Sequence, residues 1–342
     1  MEQSKPRIAS LLVGLASLVL IVAGMRAMSS LLSPILLSLF IVLVASPILR
    51  WLKVRGFPDW LAYMAVVMSI VVVGLFGTFF LATSLNQLSR ELPTYTDQVE
   101  RQIRSLAQWL QTMGVTSEDV QSLEWLQPEQ LLQFSISLVS ALLNVVSTTG
   151  FTLLVFIYML ASAPSFSKRL RQGLAHNQPM LARCDDFARS MSTYLLIKSW
   201  LGALTALIQI ILMAAMGIDF AVLWGVLSFI ANFIPSFGFY LALIPPLLLA
   251  IVKLGVLRAV IFAVIYALIN NFFDIVIAPR FLSKGLDLST IVGFVAVIIW
   301  TWIFGPIGAF IALPLTVMVK KLLLESYPET QLVAKLLSAG DD

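Results

Sequence analysis

The sequence is poor in the residues on which most enzyme chemistry depends. It has one cysteine, Cys184, and one histidine, His176, in 342 residues. A disulfide needs two thiols and a structural zinc site needs about four N or S ligands, so neither can form within one chain. A Walker A loop, an H-E-x-x-H pair and a G-x-S-x-G turn are also missing, which argues against ATP-driven pumping, zinc proteolysis and serine-esterase chemistry. We therefore predict that the protein is not an enzyme and has no catalytic residue and no metal site.

Charge is scarce as well. Only 12% of the residues are charged and 59% are hydrophobic, with a mean hydropathy of +0.95. An ordinary soluble domain has about 25% charged residues, so this composition indicates an integral membrane protein surrounded by lipid. The net charge of +4 could suggest nucleic acid in a soluble chain. Here the basic residues lie beside apolar segments, where they set orientation in the membrane, and we predict no nucleic-acid partner.

The apolar segments predict an all-α polytopic membrane protein with about six full spans and two broken, re-entrant helical hairpins. A helix needs roughly 20 apolar residues to cross a bilayer. We expect the first segment to be a retained helix and not a signal peptide, because another apolar segment follows it without a small-residue cleavage site. The spans are predicted at residues 8–25, 31–52, 60–85, 135–160, 191–216 and 256–278.

One segment between the spans is polar. Residues 86–133 are acidic, and their apolar residues recur at alternating spacings of three and four, which predicts an amphipathic extracytoplasmic helix. Its apolar stripe can lie on the protein itself, on lipid headgroups or on another subunit. The predicted division is a scaffold of three N-terminal spans (1–85), this segment (86–133), the fourth span with a basic cytoplasmic loop (134–190), a transport region (191–321) and a cytoplasmic tail (322–342).

Two apolar segments, 221–252 and 289–319, are interrupted near their middle by proline and glycine. Each half has about 15 residues and would be about 22 Å long, too short to cross a core of about 30 Å. We therefore predict a helix-break-helix hairpin in each segment. In transporters such paired breaks mark the substrate path. The candidate residues at the breaks are Asn232, Pro235 and Gly238 in the first segment and Gly305, Pro306 and Gly308 in the second.

The distribution of lysine and arginine places both termini in the cytoplasm. The span before each hairpin then runs in the opposite direction from the other, so the hairpins form an inverted pair, the arrangement that supports alternating access. The alternative is two kinked ordinary helices, since glycine and proline are tolerated in membrane spans. Lys253 and Arg258, which would lie outside, favour that alternative.

Two polar stripes run along the predicted spans. Lys198 and Gln209 share a helical face with Tyr194 and Thr205, and Asn270 and Asp274 share another with Tyr266. An unpaired charge in hydrocarbon is costly, so Lys198 and Asp274 are predicted to pair, either in the transport path or as a structural ion pair. Lys198 could instead extend to the interface. Asn270 and Asn271 are predicted to contact a polar solute.

Three stretches carry a resemblance to a known family: ANFIPSFG at 231–238, NFFDIVIAPR at 271–280 and IFGPIGAFIALP at 303–314. With these motifs the chain resembles the autoinducer-2 exporter family of bacterial multi-pass membrane proteins over nearly its whole length. The resemblance implies export of autoinducer-2 or exchange of sodium or lithium for protons. Where many members carry a Gln-x-x-Glu-like stretch, this chain has Asn270 and Asn271, which leaves Asp274 as the carboxylate.

We therefore predict a secondary-active transporter of the bacterial inner membrane that exports a small polar solute, autoinducer-2-like by the resemblance, by alternating access. A Na⁺(Li⁺)/H⁺ antiporter using Asp274 and a non-transporting scaffold are the alternatives. No cofactor is expected beyond a coupling H⁺ or Na⁺. The N-terminal half, which has few polar residues in its spans, is predicted to join the subunits of a homo-oligomer.

Overall fold

The computed structural model of the chain describes residues 7–112, 137, 140–141, 148–235, 237–281, 288–326 and 330–338. These residues are almost entirely helical, and none of them belongs to a strand. Within this described part, five helices are long and apolar enough to cross a membrane: Ser29–Val54, Asp59–Leu88, Thr149–Gly173, Gln178–Met216 and Val256–Phe281. The predicted all-α membrane class is confirmed.

The N-terminal half contains α1 (Arg7–Ala27), α2 (Ser29–Val54), α3 (Asp59–Thr112) and α4 (Thr149–Gly173). Helix α2 packs on both α3 and α4. The buried side chains between them are apolar and include Ala45, Val66 and Phe156. One polar contact joins the same helices, since the Ser38 hydroxyl donates to the Thr152 carbonyl oxygen at 2.8 Å.

Helix α3 differs from its prediction. The sequence predicts a span that ends near residue 85 and a separate amphipathic helix, but α3 continues without a break for 54 residues to Thr112. At 1.5 Å per residue it is about 80 Å long. The change from apolar to polar residues therefore marks a change of surroundings and not a break in the backbone. Residues 113–133 of the predicted polar segment lie outside the described residues, as do most residues of the predicted span before Thr149.

The prediction of a basic loop before residue 190 is wrong, because most of this stretch is helical. Helix α4 continues to Gly173 and α5 (Gln178–Met216) begins after only four residues. The Asn177 side chain accepts a hydrogen bond from the Met180 backbone N–H at 3.1 Å and so caps α5. Arg171 of α4 donates to both carboxylate oxygens of Asp185 in α5, at 2.9 and 2.7 Å. The basic residues thus lie on two helices, and Asp185 pairs with one of them, Arg171.

The C-terminal half continues with short helices. They are α6 (Ala221–Ala231), α7 (Gly238–Leu254), α8 (Val256–Asn271), a π-helical segment (Phe272–Ile277), α9 (Ala278–Phe281), α10 (Thr290–Phe304), α11 (Pro306–Phe310), α12 (Ala312–Leu322), a 3₁₀ turn (Leu324–Ser326) and α13 (Gln331–Leu337). Helices α6 and α7 pack against each other, and α10 packs against α11 and α12. Both broken segments therefore fold back on themselves, as hairpin 1 (α6 and α7) and hairpin 2 (α10 to α12).

An ion pair and a hydrogen bond hold the ends of these hairpins. Lys253, at the end of α7, pairs with Asp219, which immediately precedes hairpin 1. This contact explains how a lysine can lie at the open end of the hairpin. Lys320 of α12 is buried, and its ammonium donates to the Ser338 hydroxyl at 2.8 Å. The described part of the predicted tail is therefore folded against hairpin 2.

Candidate functional site

A cavity of about 380 Å³ lies between α5, hairpin 1 and the end of α8. It brings together seven of the predicted site residues: Lys198, Asn232, Pro235, Gly238, Asn270, Asn271 and Asp274. Ser228, Phe239 and Tyr240 also line it. The cavity therefore joins side chains from the two polar stripes with the break of hairpin 1.

An ion pair lies in the cavity wall. The Nζ atom of Lys198 is 3.3 Å from Oδ1 of Asp274, and Nδ2 of Asn270 donates to Oδ2 of Asp274 at 2.9 Å. Both carboxylate oxygens therefore have a partner. The Lys198 side chain is 17% exposed and that of Asp274 is 44% exposed, so the carboxylate is the more accessible member.

Asp274 lies within the π-helical segment, Phe272–Ile277. A proline, Pro279, follows this segment and has no N–H to donate to the carbonyl four residues earlier. A wider turn with i to i+5 bonds accommodates this loss, and such turns occur often at functional sites. Asn270 lies four residues before Asp274 on the same helical face, and both side chains line the cavity.

The break of hairpin 1 contributes Asn232, which follows the last residue of α6. Its amide packs on Gly202 of α5, where a Cβ atom would lie 2.6 Å from Nδ2 of Asn232. A larger residue at position 202 would therefore push the amide away. Sequence reasoning missed both Gly202 and Ser228. The only signal for Gly202 is an isolated glycine within a continuous apolar helix.

The break of hairpin 2 lies outside the cavity. Gly305 ends α10 with a φ of 65°, and Pro306 begins α11. Gly308 is buried against α10. The role predicted for these three residues in a solute path therefore stays a prediction.

Hairpin 2 contacts hairpin 1 through aromatic rings. The ring centroids of Phe233 and Phe310 are 4.6 Å apart, and those of Phe237 and Phe294 are 4.9 Å apart. Each pair joins a residue at the break of hairpin 1 to a residue of hairpin 2. The two hairpins therefore meet through an apolar contact beside the polar cavity.

Gln209, the remaining predicted residue, lies behind the cavity wall. It is fully buried, and its Oε1 accepts a hydrogen bond from the hydroxyl of Ser228, which does line the cavity. Gln209 therefore connects to the cavity through one side chain.

The chemistry available in the cavity is hydrogen bonding. The amides of Asn232, Asn270 and Asn271 offer both donors and acceptors, and the ion pair balances its own charge. No group of three or more His, Cys, Asp or Glu side chains comes together among the described residues. The oxygens that could hold a monovalent cation are those of Asp274 and the asparagines, although the Lys198 ammonium opposes a second positive charge there.

The chain is similar to known transport proteins over nearly its whole length. The AI-2E family transporter model matches residues 15–327. The chain is 32% identical over 325 residues to TqsA of Escherichia coli, an AI-2 transport protein, with 95% of this chain and 94% of TqsA covered. It is 27% identical over 332 residues to YhhT of Escherichia coli (96% and 94% covered) and 30% identical over 339 residues to a Haemophilus influenzae protein (97% of both), each named as a candidate transport protein without a solute. The chain belongs to the AI-2E transporter family.

Proposed function

We propose that this membrane transporter exports a small polar solute by alternating access, with the cavity between α5, hairpin 1 and α8 as its binding site. The observation that carries the proposal is the convergence of an ion pair and three amides at a broken helix inside an otherwise apolar helical bundle. Polar residues are costly in a membrane unless they serve a site, and broken helices of transporters supply such sites.

The walls of the cavity favour a neutral solute that carries hydroxyl groups. Its charged groups are already paired, and its asparagines can both donate to and accept from a hydroxyl. The volume of about 380 Å³ suits a small molecule. Autoinducer-2, which the name of TqsA gives as the solute of that relative, is the first candidate for this chain.

The position of the cavity is compatible with export. The distribution of basic residues supports cytoplasmic termini, which places the C-terminal end of α5 outside. Lys198 lies 18 residues before Met216, the last residue of α5, or about 27 Å along the helix. In a core of about 30 Å the cavity then lies near the cytoplasmic face, where an exporter takes up its solute.

A Na⁺(Li⁺)/H⁺ antiporter is the second candidate. Asp274 favours it, because this carboxylate lines the cavity and is 44% exposed next to amide groups. A cation could replace the Lys198 ammonium if that side chain withdrew. Membership of a transporter family argues against a non-transporting scaffold.

Flux measurements in inside-out membrane vesicles that contain the protein separate these candidates. We expect labelled autoinducer-2 to accumulate under an imposed proton or sodium gradient. The Asn270→Leu variant should lose most of this uptake, whereas Asn86→Leu, far from the cavity in sequence, should retain it. Exchange of Na⁺ or Li⁺ for protons without any solute uptake would reject the export proposal in favour of the antiporter.

A further inference from the structure

A second polar cluster lies beyond the cavity. It consists of Gln209 of α5, Ser228 of α6 and Tyr266 of α8, whose hydroxyl lies beside Ser228. Ser228 belongs to both the cavity wall and the cluster. Helices α5 and α8 pack against each other with Lys198 opposite Asp274. Gln209, later in α5, approaches Tyr266, earlier in α8, through Ser228. The two helices are therefore antiparallel, and their polar stripes face each other.

The cluster has two buried polar atoms without a partner. Gln209 and Tyr266 are both 0% exposed. The Ser228 hydroxyl donates to Oε1 of Gln209, but within the described part of the chain Nε2 of Gln209 has no hydrogen-bond partner. The Tyr266 hydroxyl lies beside Ser228 but, among the same described residues, forms no hydrogen bond of normal geometry. Their neighbours Leu223, Leu227 and Phe262 are buried and apolar, and offer none. Because buried polar groups in native proteins nearly always have a partner, these atoms indicate a ligand.

The geometry suits a hydroxyl group. The amide Nε2 needs an acceptor, and the Tyr266 hydroxyl can either donate or accept. If the amide were rotated by 180°, Oε1 would need a donor instead, and a hydroxyl satisfies that arrangement as well. No charged side chain belongs to the cluster, so nothing in it compensates an ion.

We propose that Gln209, Ser228 and Tyr266 form a second site on the transport path, which binds one hydroxyl group of water or of the solute after it leaves the cavity. This inference rests on the proposed function for its direction. Gln209 lies 11 residues beyond Lys198 on α5, or about 16 Å further from the cytoplasmic face in the proposed orientation. Ser228 and Asn232 lie four residues apart on one face of α6, and both line the cavity, so they connect the two sites.

The first test compares Tyr266→Phe with the unsubstituted protein. If the cluster is a dry packing feature, removing an unpartnered hydroxyl should raise the melting temperature and leave uptake unchanged. If the hydroxyl binds a ligand, Tyr266→Phe should lower the rate of autoinducer-2 uptake by about two- to tenfold, the value of one hydrogen bond, without raising the melting temperature. Affinity at the cavity should not change, because Tyr266 does not line it.

The second test needs no transport and so stands if the proposed function fails. In a Cys184→Ser background, Gln209→Cys should react with a small water-soluble methanethiosulfonate, whereas Leu227→Cys, buried in the adjacent apolar core, should not. Protection of Gln209→Cys by autoinducer-2 would identify a solute hydroxyl as the ligand, and reaction without protection would identify water. No reaction at Gln209→Cys, or a Tyr266→Phe protein that is more stable with unchanged uptake, would overturn the second site. Failure of the unsubstituted protein to transport would instead overturn the proposed function.

Discussion

A Cβ atom on Gly238 would lie 1.9 Å from the carbonyl oxygen of Ala231, at the break of hairpin 1. Hairpin 2 has the same contact, because a Cβ atom on Gly308 would lie 1.9 Å from the carbonyl oxygen of Trp300. In both hairpins a glycine therefore lets the returning chain touch the backbone of the helix before it. The same contact recurs 70 residues later in the chain, so the two hairpins share one backbone geometry at their breaks.

Alanine at either glycine should open its hairpin. The clashing atom is a backbone oxygen inside a helix, which cannot move aside as a side chain can, so we expect Gly238→Ala and Gly308→Ala to lower the melting temperature and abolish most uptake. Gly77→Ala in α3 is the matched control, because nothing lies within 4 Å of the added methyl group. It should be neutral or stabilising by up to about 1 kcal/mol. Equal melting temperatures for Gly238→Ala and Gly77→Ala would contradict the packing described here.

The ion pair of Lys198 and Asp274 should show coupling. Asp274→Asn leaves a lysine without its partner in a partly buried site, and we expect a loss of about 1 to 3 kcal/mol in stability. Adding Lys198→Gln should restore part of it, since the stranded charge is removed. Thermal unfolding of both single variants and the double variant measures the coupling, and strictly additive losses would show that the two residues do not interact.

Helical spacing was sufficient to predict several features of the site. The intervals place Asn270 and Asp274 on one face, and the cost of an unpaired charge in hydrocarbon predicts that Asp274 pairs with Lys198. The structure shows both contacts. The hairpins follow from segment length, because neither half can cross a membrane. The basic stretch before residue 190 was misread because a high density of charge is compatible with either a loop or two capped helices.

The contacts between α5 and hairpin 1 could not be predicted from the sequence. Nothing near Gly202 in the sequence indicates that Asn232, 30 residues later, packs on it. Ser228 is a small polar residue in an apolar segment, and its role becomes visible only when α5 and α6 are placed together. A single sequence gives the face on which a residue lies, but its partner depends on how the helices pack.

Cysteine labelling should establish the orientation of the chain. In a Cys184→Ser background, Ser122→Cys should react with a membrane-impermeant maleimide in intact cells, because the polar segment is predicted to be extracytoplasmic. His176→Cys, in the turn between α4 and α5, should react only in inside-out vesicles. The reverse pattern would invert the proposed topology and place the cavity near the outer face.

Subunit contacts should lie in the N-terminal half. Apolar side chains of α3 such as Val73, Phe76 and Phe79 are 72%, 69% and 69% exposed, and they lie far in sequence from the cavity residues. A surface without a site can be covered by another subunit without hindering movement elsewhere. We expect photo-crosslinkers within residues 8–160 to join subunits and those on hairpin 1 to join none. A monomer that transports in lipid would contradict this assembly.

Transport should stop when the two hairpins are tied together. Alternating access requires one set of helices to move relative to another, and the rings of Phe237 and Phe294, 4.9 Å apart, lie at the contact between hairpins 1 and 2. We expect a reversible crosslink between Phe237→Cys and Phe294→Cys, in a Cys184→Ser background, to abolish uptake and a reductant to restore it. The matched control joins Asp219→Cys to Lys253→Cys, which pair at the open end of hairpin 1 and should move together. Uptake that persists with the first pair fully crosslinked would show that the hairpins remain fixed to each other, and the solute would then have to leave through the cluster of Gln209, Ser228 and Tyr266 while α5 or α8 moves.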